Sequence, residues 1–415
     1  MKPNPETGAA PIQPARRLAD APVPPRCPVF GICGGCKHQN VPGALQLRDK
    51  QSRLVAQLSE AGGIEPDSYD LLPALTGPQW NYRRKARLAV RLVRRKGRVL
   101  VGFREKRGRL VTVMDNCEVL APPLAQLIRP LAVLIVELDA RAAIPQIEVA
   151  AGESAAHPPR PEAALVLRHL RPLTSADLSR LRRFAVQWGL QMYLQPSGVD
   201  SVRRLHPRAS EESRDRLHYH LPGFGLRLGF HPMDFLQVNA AVNRRMVDLI
   251  IQLLAPLASD RVLDLFCGLG NFSLPLARRC RAVTGIEASA GMVGRARENA
   301  AANGLGNASF VAADLYRKDA SLPGLPLPIA AYDKILLDPP RSGAMETIPL
   351  IAASGARRLV YVSCNPDSLA RDARELRRRG YDLKSAGVMD MFPHTSHVES
   401  VAMFETAEPI TGGPP

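Results

Sequence analysis

The stretch VLDLFCGLGNF at residues 262–272 sets the expectation for the fold of the second half of this 415-residue chain. Its apolar run ends at Asp264 and predicts a buried strand, and Gly268 and Gly270 follow in the turn before a helix. Glycines at such a turn allow a ligand to approach the backbone closely. The dinucleotide fingerprint G-x-G-x-x-G is not met because its third position is Ser273, so an adenosyl cofactor without a pyrophosphate fits better.

Strands and helices alternate around this stretch, from residue 231 almost to the C-terminus. Helical segments separate the predicted strands, which are RVLDLF, AVTGIE, FVAAD, YDKILLD and RRLVYVS, with a final pair near GVMDMF and ESVAMFE. This alternation is typical of a parallel sheet with helices on both faces. We therefore expect a Rossmann-like α/β domain over residues 231–410.

Several of these strands end in acidic residues. Asp264, Glu287 and Asp338 each end a predicted strand, and ligand sites in open α/β sheets lie at that edge. Glu287, one strand after the glycine turn, is placed to accept hydrogen bonds from ribose hydroxyls, which favours S-adenosylmethionine as the cofactor. The Asp-Pro-Pro sequence that begins at Asp338 is similar to a motif of amino-group methyltransferases, but Arg341 replaces the aromatic residue of that motif.

Cys364 ends the next predicted strand and is a candidate nucleophile. A cysteine at a strand end is often only a small core residue. Here the residue shares its edge with the carboxylates, and the helix that follows favours a thiolate at its N-terminus. The base that would assist it lies in HTSHVES at residues 394–400, where both His397 and Glu399 are candidates.

The N-terminal half carries much of the positive charge. Lys and Arg number 55 against 39 Asp and Glu, a net charge of +16, and such an excess favours a polyanionic partner, most often nucleic acid. Thirteen of the thirty residues in 81–110 are Lys or Arg in a pattern that predicts a strand hairpin, and we expect RNA phosphates to bind there. Residues 27–230 are predicted to form an α+β domain. Its helix at 44–62 is a candidate to pack on the C-terminal domain, and its polar stretch at 203–220 is predicted to be a surface loop.

The sequence CPVFGICGGC at residues 27–36 contains three of the seven cysteines. No apolar run is long enough for a membrane span, and residues 1–26, with seven prolines, predict a disordered tail rather than a signal peptide. We therefore expect a cytoplasmic protein, in which clustered cysteines bind metal more often than they form disulfides. The residues alone leave a structural zinc ion and an iron–sulfur cluster equally open.

Six motifs, in order from residue 27 to about residue 405, resemble those of the RNA (uracil-5-)-methyltransferases, most closely the RumA type that acts on 23S ribosomal RNA. The motifs are CPVFGICGGC, FLQVN, LDLFCGLGNF, LLDPPR, VYVSCNP and DMFPHTSHVES. Their combination is highly specific. The resemblance implies a Rossmann-like S-adenosylmethionine-dependent methyltransferase domain that is preceded by an iron–sulfur and RNA-binding domain.

The resemblance also implies roles for single residues. Cys364 would add to C6 of uracil, and Glu399 would remove the proton from C5. Asp338 would in addition orient the uracil edge. The implied cofactor positions are Gln237, Phe266, Asn271, Glu287, Asp314 and Asp338. The implied ligands of a [4Fe-4S] cluster are Cys27, Cys33, Cys36 and Cys117.

The expected function is C5 methylation of a specific uridine in 23S ribosomal RNA, with no membrane and no obligate protein partner. RumA-type proteins usually begin with a TRAM β-barrel, and the 26 residues before Cys27 are too few for one. The alternatives are a uridine in another ribosomal RNA or in tRNA, an m5C methyltransferase, and a non-catalytic iron–sulfur RNA-binding protein. Asp-Pro-Pro-Arg in place of Pro-Cys argues against the m5C enzyme, and the presence of Cys364 and of the glycines argues against a non-catalytic protein.

Overall fold

The structure is a computed structural model that describes residues 21–154, 161–207, 216–317 and 324–406. The helices are α1 (Gly43–Glu60), α2 (Ile128–Val136), α3 (Ser175–Trp188), α4 (Ala240–Leu254), α5 (Ser273–Ala277), α6 (Ala290–Ala302), α7 (Ile348–Ser354) and α8 (Pro366–Arg378). The first nine strands are β1 (Asp70–Leu71), β2 (Lys85–Val93), β3 (Arg98–Gly102), β4 (Gln146–Glu153), β5 (Pro161–Arg168), β6 (Leu190–Gln195), β7 (Arg203–His206), β8 (Leu217–Leu221) and β9 (Leu226–Phe230). The others are β10 (Arg261–Leu265), β11 (Ala282–Glu287), β12 (Ala308–Ala312), β13 (Lys334–Leu337), β14 (Arg358–Ser363), β15 (Tyr381–Met389) and β16 (Glu399–Thr406).

The C-terminal half is built on an eight-stranded sheet with the order β1-β15-β16-β14-β13-β10-β11-β12. Strands β10 to β14 pair in parallel, whereas β16 is antiparallel to both of its neighbours. Side chains alternate between two cores, one containing residues of α4 and α6 and the other containing residues of α1, α7 and α8. The expected Rossmann-like α/β architecture, with helices on both faces of a mainly parallel sheet, is confirmed.

This topology brings the strand ends of the predicted site to one edge of the sheet. The parallel strands finish there, and β16 begins there because it runs the opposite way. Ser363 of β14 pairs with Ser400 of β16, so Cys364 and Glu399 follow and precede a paired position on neighbouring strands. The Ser400 hydroxyl also donates a hydrogen bond to the carbonyl oxygen of Ser363 at 3.2 Å, which ties the two ends together.

The N-terminal half contains a six-stranded sheet with the order β3-β2-β4-β5-β6-β7. Helices α2 and α3 cover one face of it, around Leu131, Leu181 and Phe184. The hairpin β8–β9 packs on the other face and joins this sheet to the core of the methyltransferase sheet. The hydrophobic residues of β8 and β9 are therefore shared by both halves of the chain.

The predicted surface loop at 203–220 is wrong at both ends, where the chain forms β7 and β8. Leu217, Tyr219 and Leu221 are all buried, and the histidines between them face the other side of the strand. The alternation is short and interrupted by basic residues, which explains why the sequence reads as polar. Residues 208–215 lie outside the described residues.

The segment before the cysteine cluster is attached to the body of the protein at its end. The amide of Val23 donates to the carbonyl oxygen of Asn40 at 3.1 Å, and Arg26 pairs with Glu118 and lies over the ring of Trp80. Ordered contacts therefore begin before Cys27. Residues 1–20 of the predicted tail lie outside the described residues.

Helix α1 lies against the methyltransferase sheet although it is in the N-terminal half of the sequence. Leu54 and Leu58 are fully buried against α8 and β15, in the same core as Leu369 and Leu376. This placement connects the residues after the cysteine cluster directly to the C-terminal half of the chain.

In the described ranges of the chain, none of the helices has the length and apolar composition needed to span a membrane.

Candidate active site and cysteine cavity

Three ionisable side chains meet at the edge where β13, β14 and β16 lie side by side. Asp338 follows β13, Cys364 follows β14, and Glu399 is the first residue of β16. Asp338 accepts a hydrogen bond from the side-chain amide of Gln237 at 3.4 Å. The structure thus places two carboxyl groups and one thiol at neighbouring strand ends.

Burial dominates the electrostatics of these groups. It raises the pKa of Asp338 to about 7 and that of Glu399 to about 8, with Asp338 raising the latter further. The pKa of the Cys364 thiol is raised to about 11 by burial and then by the two carboxylates. Arg341 opposes these effects by lowering the pKa of both Cys364 and Glu399.

Arg341 is held above the site by contacts to two neighbouring turns. Its carbonyl oxygen accepts a hydrogen bond from the Asn365 side chain at 3.1 Å, and its guanidinium group lies 2.8 Å from Nδ1 of His397. His397, the second candidate for the base, therefore has one ring nitrogen engaged by a cation. The sequence analysis noted Arg341 only because it departs from the motif of amino-group methyltransferases. Its position shortly after a strand end was the signal that could have marked it as a site residue.

The glycine turn after β10 has the expected backbone geometry. Gly268 and Gly270 have φ values of 57° and 93°, in the left-handed region that favours glycine. Glu287 at the end of β11 accepts hydrogen bonds from the amide of Gly268 at 3.3 Å and from that of Ser289 at 2.9 Å. The carboxylate therefore closes the turn.

Asp264 lies beneath this turn and is completely buried. Ser273 donates a hydrogen bond to its Oδ2, while the buried Oδ1 has no hydrogen-bond partner among the described residues. Burial raises the pKa of Asp264 to about 7. An unpaired buried acceptor is costly, so this edge suits a ligand that brings a hydrogen-bond donor.

The remaining predicted cofactor residues surround the same turn. Asn271 exchanges two 3.0 Å hydrogen bonds with Asn243 of α4 and accepts another from the hydroxyl of Tyr219 at 2.9 Å. Tyr219 belongs to β8, so the hairpin missed from the sequence orients this side chain. Asn243 was likewise not predicted, because nothing distinguishes it within the amphipathic pattern of α4.

An aromatic pair borders the turn on its other side. Phe266 has a φ value of 65° and its ring lies 5.8 Å from that of Tyr316. The amide of Tyr316 donates a hydrogen bond to the Asp314 side chain at 3.0 Å. Phe266 and Asp314 thus flank the same edge of the sheet as Glu287.

The four predicted cluster ligands line one small cavity of about 20 Å³, although Cys117 lies far along the chain from the others. All four are buried free thiols, and the amide of Cys27 donates to the Gln39 side chain at 3.0 Å. Phe103 and Met114 complete the wall of the cavity. Within the described ranges, no three His, Cys, Asp or Glu side chains are arranged to hold a single metal ion.

Most of the basic side chains in residues 81–110 are solvent-exposed, but the first ones are not. Arg84 is buried, where it donates to the carbonyl oxygen of Gln237 at 2.8 Å and its guanidinium lies 4.6 Å from the centre of the Tyr219 ring. Lys85 is partly buried and bonds to the carbonyl oxygen of Asp234. The prediction that this whole segment binds phosphate is therefore wrong for Arg84, because that side chain joins the two halves of the chain.

Comparisons with known proteins agree with this architecture. The family model described as "tRNA (Uracil-5-)-methyltransferase" matches residues 224–407. The chain is 51% identical to the 23S rRNA (uracil(1939)-C(5))-methyltransferase RlmD of Alkalilimnicola ehrlichii, over 92% of this chain and 83% of that protein. It is 47% identical to the enzyme of the same name from Xanthomonas axonopodis pv. citri, with the same coverage.

A solved structure supports the fold. The tRNA (uracil-54, C5)-methyltransferase of Pyrococcus abyssi, in complex with S-adenosyl-L-homocysteine, has a TM-score of 0.65 and 22% identity, and the match covers 88% of this chain and 84% of that one. At that identity the likeness concerns the fold alone. The identity and coverage of the curated relatives go further and confirm the resemblance seen in the motifs: the chain belongs to the RNA (uracil-5-)-methyltransferases of the RumA type.

Proposed function

We propose that this enzyme methylates C5 of a uridine in 23S ribosomal RNA, with S-adenosylmethionine as the methyl donor. The observation that carries the proposal is the meeting of Cys364, Glu399 and Asp338 at one sheet edge, next to the glycine turn after β10. The 23S rRNA specificity follows from the names of the curated relatives at 46–51% identity.

The nucleophile in this proposal is the thiolate of Cys364. Uracil C5 reacts poorly with an electrophilic methyl group, and addition of a thiolate at C6 turns the ring into an enolate with an electron-rich C5. The thiol gives its proton to solvent, a sulfur–C6 bond forms, and the C5–C6 π electrons move toward C5 and O4. Burial raises the thiol pKa to about 11 even with Arg341 nearby, and Arg341 is the neighbouring cation that favours the thiolate.

Glu399 acts as the base in the second half of the reaction. C5 forms a bond to the methyl group, and its original proton must then leave. The Glu399 carboxylate takes that proton, the C5–C6 double bond returns, and the sulfur–C6 bond breaks to release the Cys364 thiolate. A pKa of about 8 suits a base that must take up a proton from carbon and later return it to solvent.

The cofactor residues would form a cradle around the glycine turn. S-adenosylmethionine supplies an electrophilic methyl group on a sulfonium. Glu287 is placed to accept hydrogen bonds from ribose, and the unpaired Oδ1 of Asp264 fits a donor group. Gln237 and Asn271 are pre-oriented by Asp338, Tyr219 and Asn243, so less ordering is required when the cofactor binds.

We propose that the cysteine cavity holds a [4Fe-4S] cluster. Four buried thiols without a competing histidine form the donor set that such clusters use. A structural zinc ion is the alternative that the same four thiols allow, and metal analysis separates the two. A cluster held by these thiols would tie Cys117 to the loop that carries the other three cysteines.

The RNA is proposed to bind along the basic face that leads away from the catalytic edge. A groove of about 560 Å³ runs between the cysteine loop and the end of β3, lined by Lys37, Phe103, Arg104, Lys106 and Arg107. Phe235, two residues before Gln237, is 72% exposed and offers a stacking surface for an unpaired base. The target uracil must leave its stack to reach Cys364.

A 23S rRNA fragment with 5-fluorouridine at the position named in the relatives, 1939, tests the proposal. Fluorine cannot leave C5 as a proton does, so the wild-type enzyme should form an RNA adduct that survives denaturation. Cys364→Ala should form no adduct while it still binds S-adenosylmethionine. An active Cys364→Ala enzyme without any adduct would overturn covalent catalysis, and mapping of the methyl group in ordinary RNA would reveal a different uridine or a cytidine target.

A further inference from the structure

The base Glu399 is delivered by an irregular segment, Asp390–Val398, that connects β15 to β16. We call it the base segment. Although it has no regular secondary structure, Asp390, Met391 and His394 within it are buried. Connecting segments usually run over the surface and move more than strands do. This burial raises the question of what fixes the backbone immediately before the base.

Helix α1 supplies an ion pair at the start of the base segment. The ammonium group of Lys50 lies 2.7 Å from Oδ1 of Asp390, and both side chains are about 5% exposed. Lys50 also donates to the carbonyl oxygen of Phe392 at 2.9 Å. Removing one partner of a buried pair is strongly unfavourable, whereas an intact pair adds little net stability.

Gln46, one turn earlier on α1, fixes the middle of the base segment. Its Oε1 accepts the backbone amide of His394 at 2.8 Å. Its Nε2 donates to the carbonyl oxygens of His38 at 2.9 Å and of Val41 at 2.8 Å. One amide side chain therefore connects the base segment to the chain that follows the cysteine cluster.

The same chain contacts the base segment through its backbone. The amides of Lys37 and His38, immediately after Cys36, donate to the carbonyl oxygen of His394 at 2.8 and 3.1 Å. The hydroxyl of Tyr82 donates to the carbonyl oxygen of Pro393 at 3.1 Å. The base segment is thus held on three sides by residues outside the methyltransferase sheet.

We propose that Lys50 and Gln46 are positioning residues for proton removal from C5, because they hold the base segment in the register that places the Glu399 carboxylate. The inference rests on the proposed function, in which Glu399 is the base. Cys364 follows β14, and the α1 contacts reach the base segment between Asp390 and His394, before His397, the residue of the segment that contacts Arg341. Loss of the α1 contacts therefore slows the step after methyl transfer and leaves formation of the sulfur–C6 bond unchanged.

The experiment compares adduct formation with turnover in the full-length enzyme. In Lys50→Met, 5-fluorouridine RNA should be trapped at the wild-type rate. With ordinary uridine RNA, turnover should fall roughly ten- to a hundredfold, because displacement of a catalytic group by about 1 Å costs that much. The methylated RNA should then accumulate as a covalent complex on a denaturing gel. Gln46→Leu should act in the same direction.

Three further variants make the result decisive. The double variant Lys50→Met with Asp390→Asn leaves no buried charge unpaired, so it tests the loss of the ion pair in a folded protein. Lys50→Arg keeps the positive charge and should restore turnover. Arg53→Met is the matched control, since it removes a cation from α1 whose partner Asp367 is exposed. It should behave as wild type.

The outcomes separate this inference from the proposed function. If Glu399→Gln does not accumulate the covalent complex, the base assignment fails and this inference fails with it. If Glu399→Gln accumulates the complex but the folded Lys50 double variant does not, only the positioning role is overturned. A parallel loss of trapping and turnover in that variant would likewise show a general structural role.

Discussion

The acids at the proposed catalytic edge have raised pKa values, so at neutral pH Glu399 is mostly protonated and Asp338 is about half protonated. Burial raises the pKa of Glu399 to about 8 and of Asp338 to about 7, and it raises the Cys364 thiol to about 11. A carboxyl group is mostly in its basic, deprotonated form only when the pH lies above its pKa. The proposed reaction needs Cys364 and Glu399 in their deprotonated forms. Alkaline conditions therefore favour the active forms of both side chains.

The pH dependence of kcat/KM follows from these shifts. Since kcat/KM reports the free enzyme, it should rise from pH 6 through about 8 as Glu399 loses its proton and should continue to rise as the thiolate fraction grows. Arg341→Gln should move this rise to higher pH by roughly one unit, the size of a ~1.4 kcal/mol charge interaction. Rates measured on RNA between pH 6 and 9.5 check this, and an unmoved profile would exclude Arg341 as the activating cation.

Single residues show where sequence reasoning reaches its limit. Arg84 and Arg91 both lie in the basic hairpin, yet the first is buried against Tyr219 and the second is exposed. Arg84 precedes the first residue of β2, so the alternation along that strand does not predict its side, and only the packing of β8 makes its surroundings an interior. Tyr219 and Asn243 support the cofactor residues through tertiary contacts that no local pattern carries.

Among the structural elements, the cysteine loop makes the sharpest prediction. If Cys27, Cys33, Cys36 and Cys117 hold a [4Fe-4S] cluster, protein purified without oxygen should be brown and contain about four irons per chain. Cys117→Ser should lose the colour while S-adenosylmethionine binding persists, because the glycine turn lies in the other sheet. Metal analysis and absorption spectra test this, and stoichiometric zinc without iron would show a structural zinc site instead.

Elements with a clear period are the ones that the sequence predicts well. The alternating strands and helices after residue 231 and the helix near residues 44–62 appear almost where their apolar spacing puts them. The β8–β9 hairpin was missed because its apolar positions are interleaved with histidine and arginine. Its buried side is defined by α6 and β4, which lie far away in the sequence.

At the scale of the whole molecule, the positive charge continues from the catalytic edge onto the N-terminal sheet. Lys37 donates to the Ser396 hydroxyl at 3.4 Å, next to His397, and the groove with Arg104 and Lys106 begins beside it. Ten of the thirteen basic residues in the hairpin segment are exposed. The face proposed to receive RNA and the edge proposed to perform the chemistry are therefore continuous.

The salt dependence of RNA binding is the test at this scale. If about six phosphates are neutralised, affinity should fall by roughly 10³ between about 50 and 200 mM salt. Changing four exposed residues of the hairpin to Gln should remove up to about three units from the slope of log K against log salt. The four are Arg91, Arg95, Arg98 and Arg107.

A matched control exists at the other end of the methyltransferase sheet. Helix α8 starts beside Cys364 and runs away from the catalytic edge, so its C-terminal half and the residue after it carry exposed arginines away from the proposed path of the RNA. Changing this second set to Gln removes the same formal charge. The set is Arg374, Arg377, Arg378 and Arg379. The slope should then stay near that of the wild type, because released counterions report only the phosphates that are contacted. Equal losses in both variants would mean that net charge, and not the hairpin face, attracts the RNA.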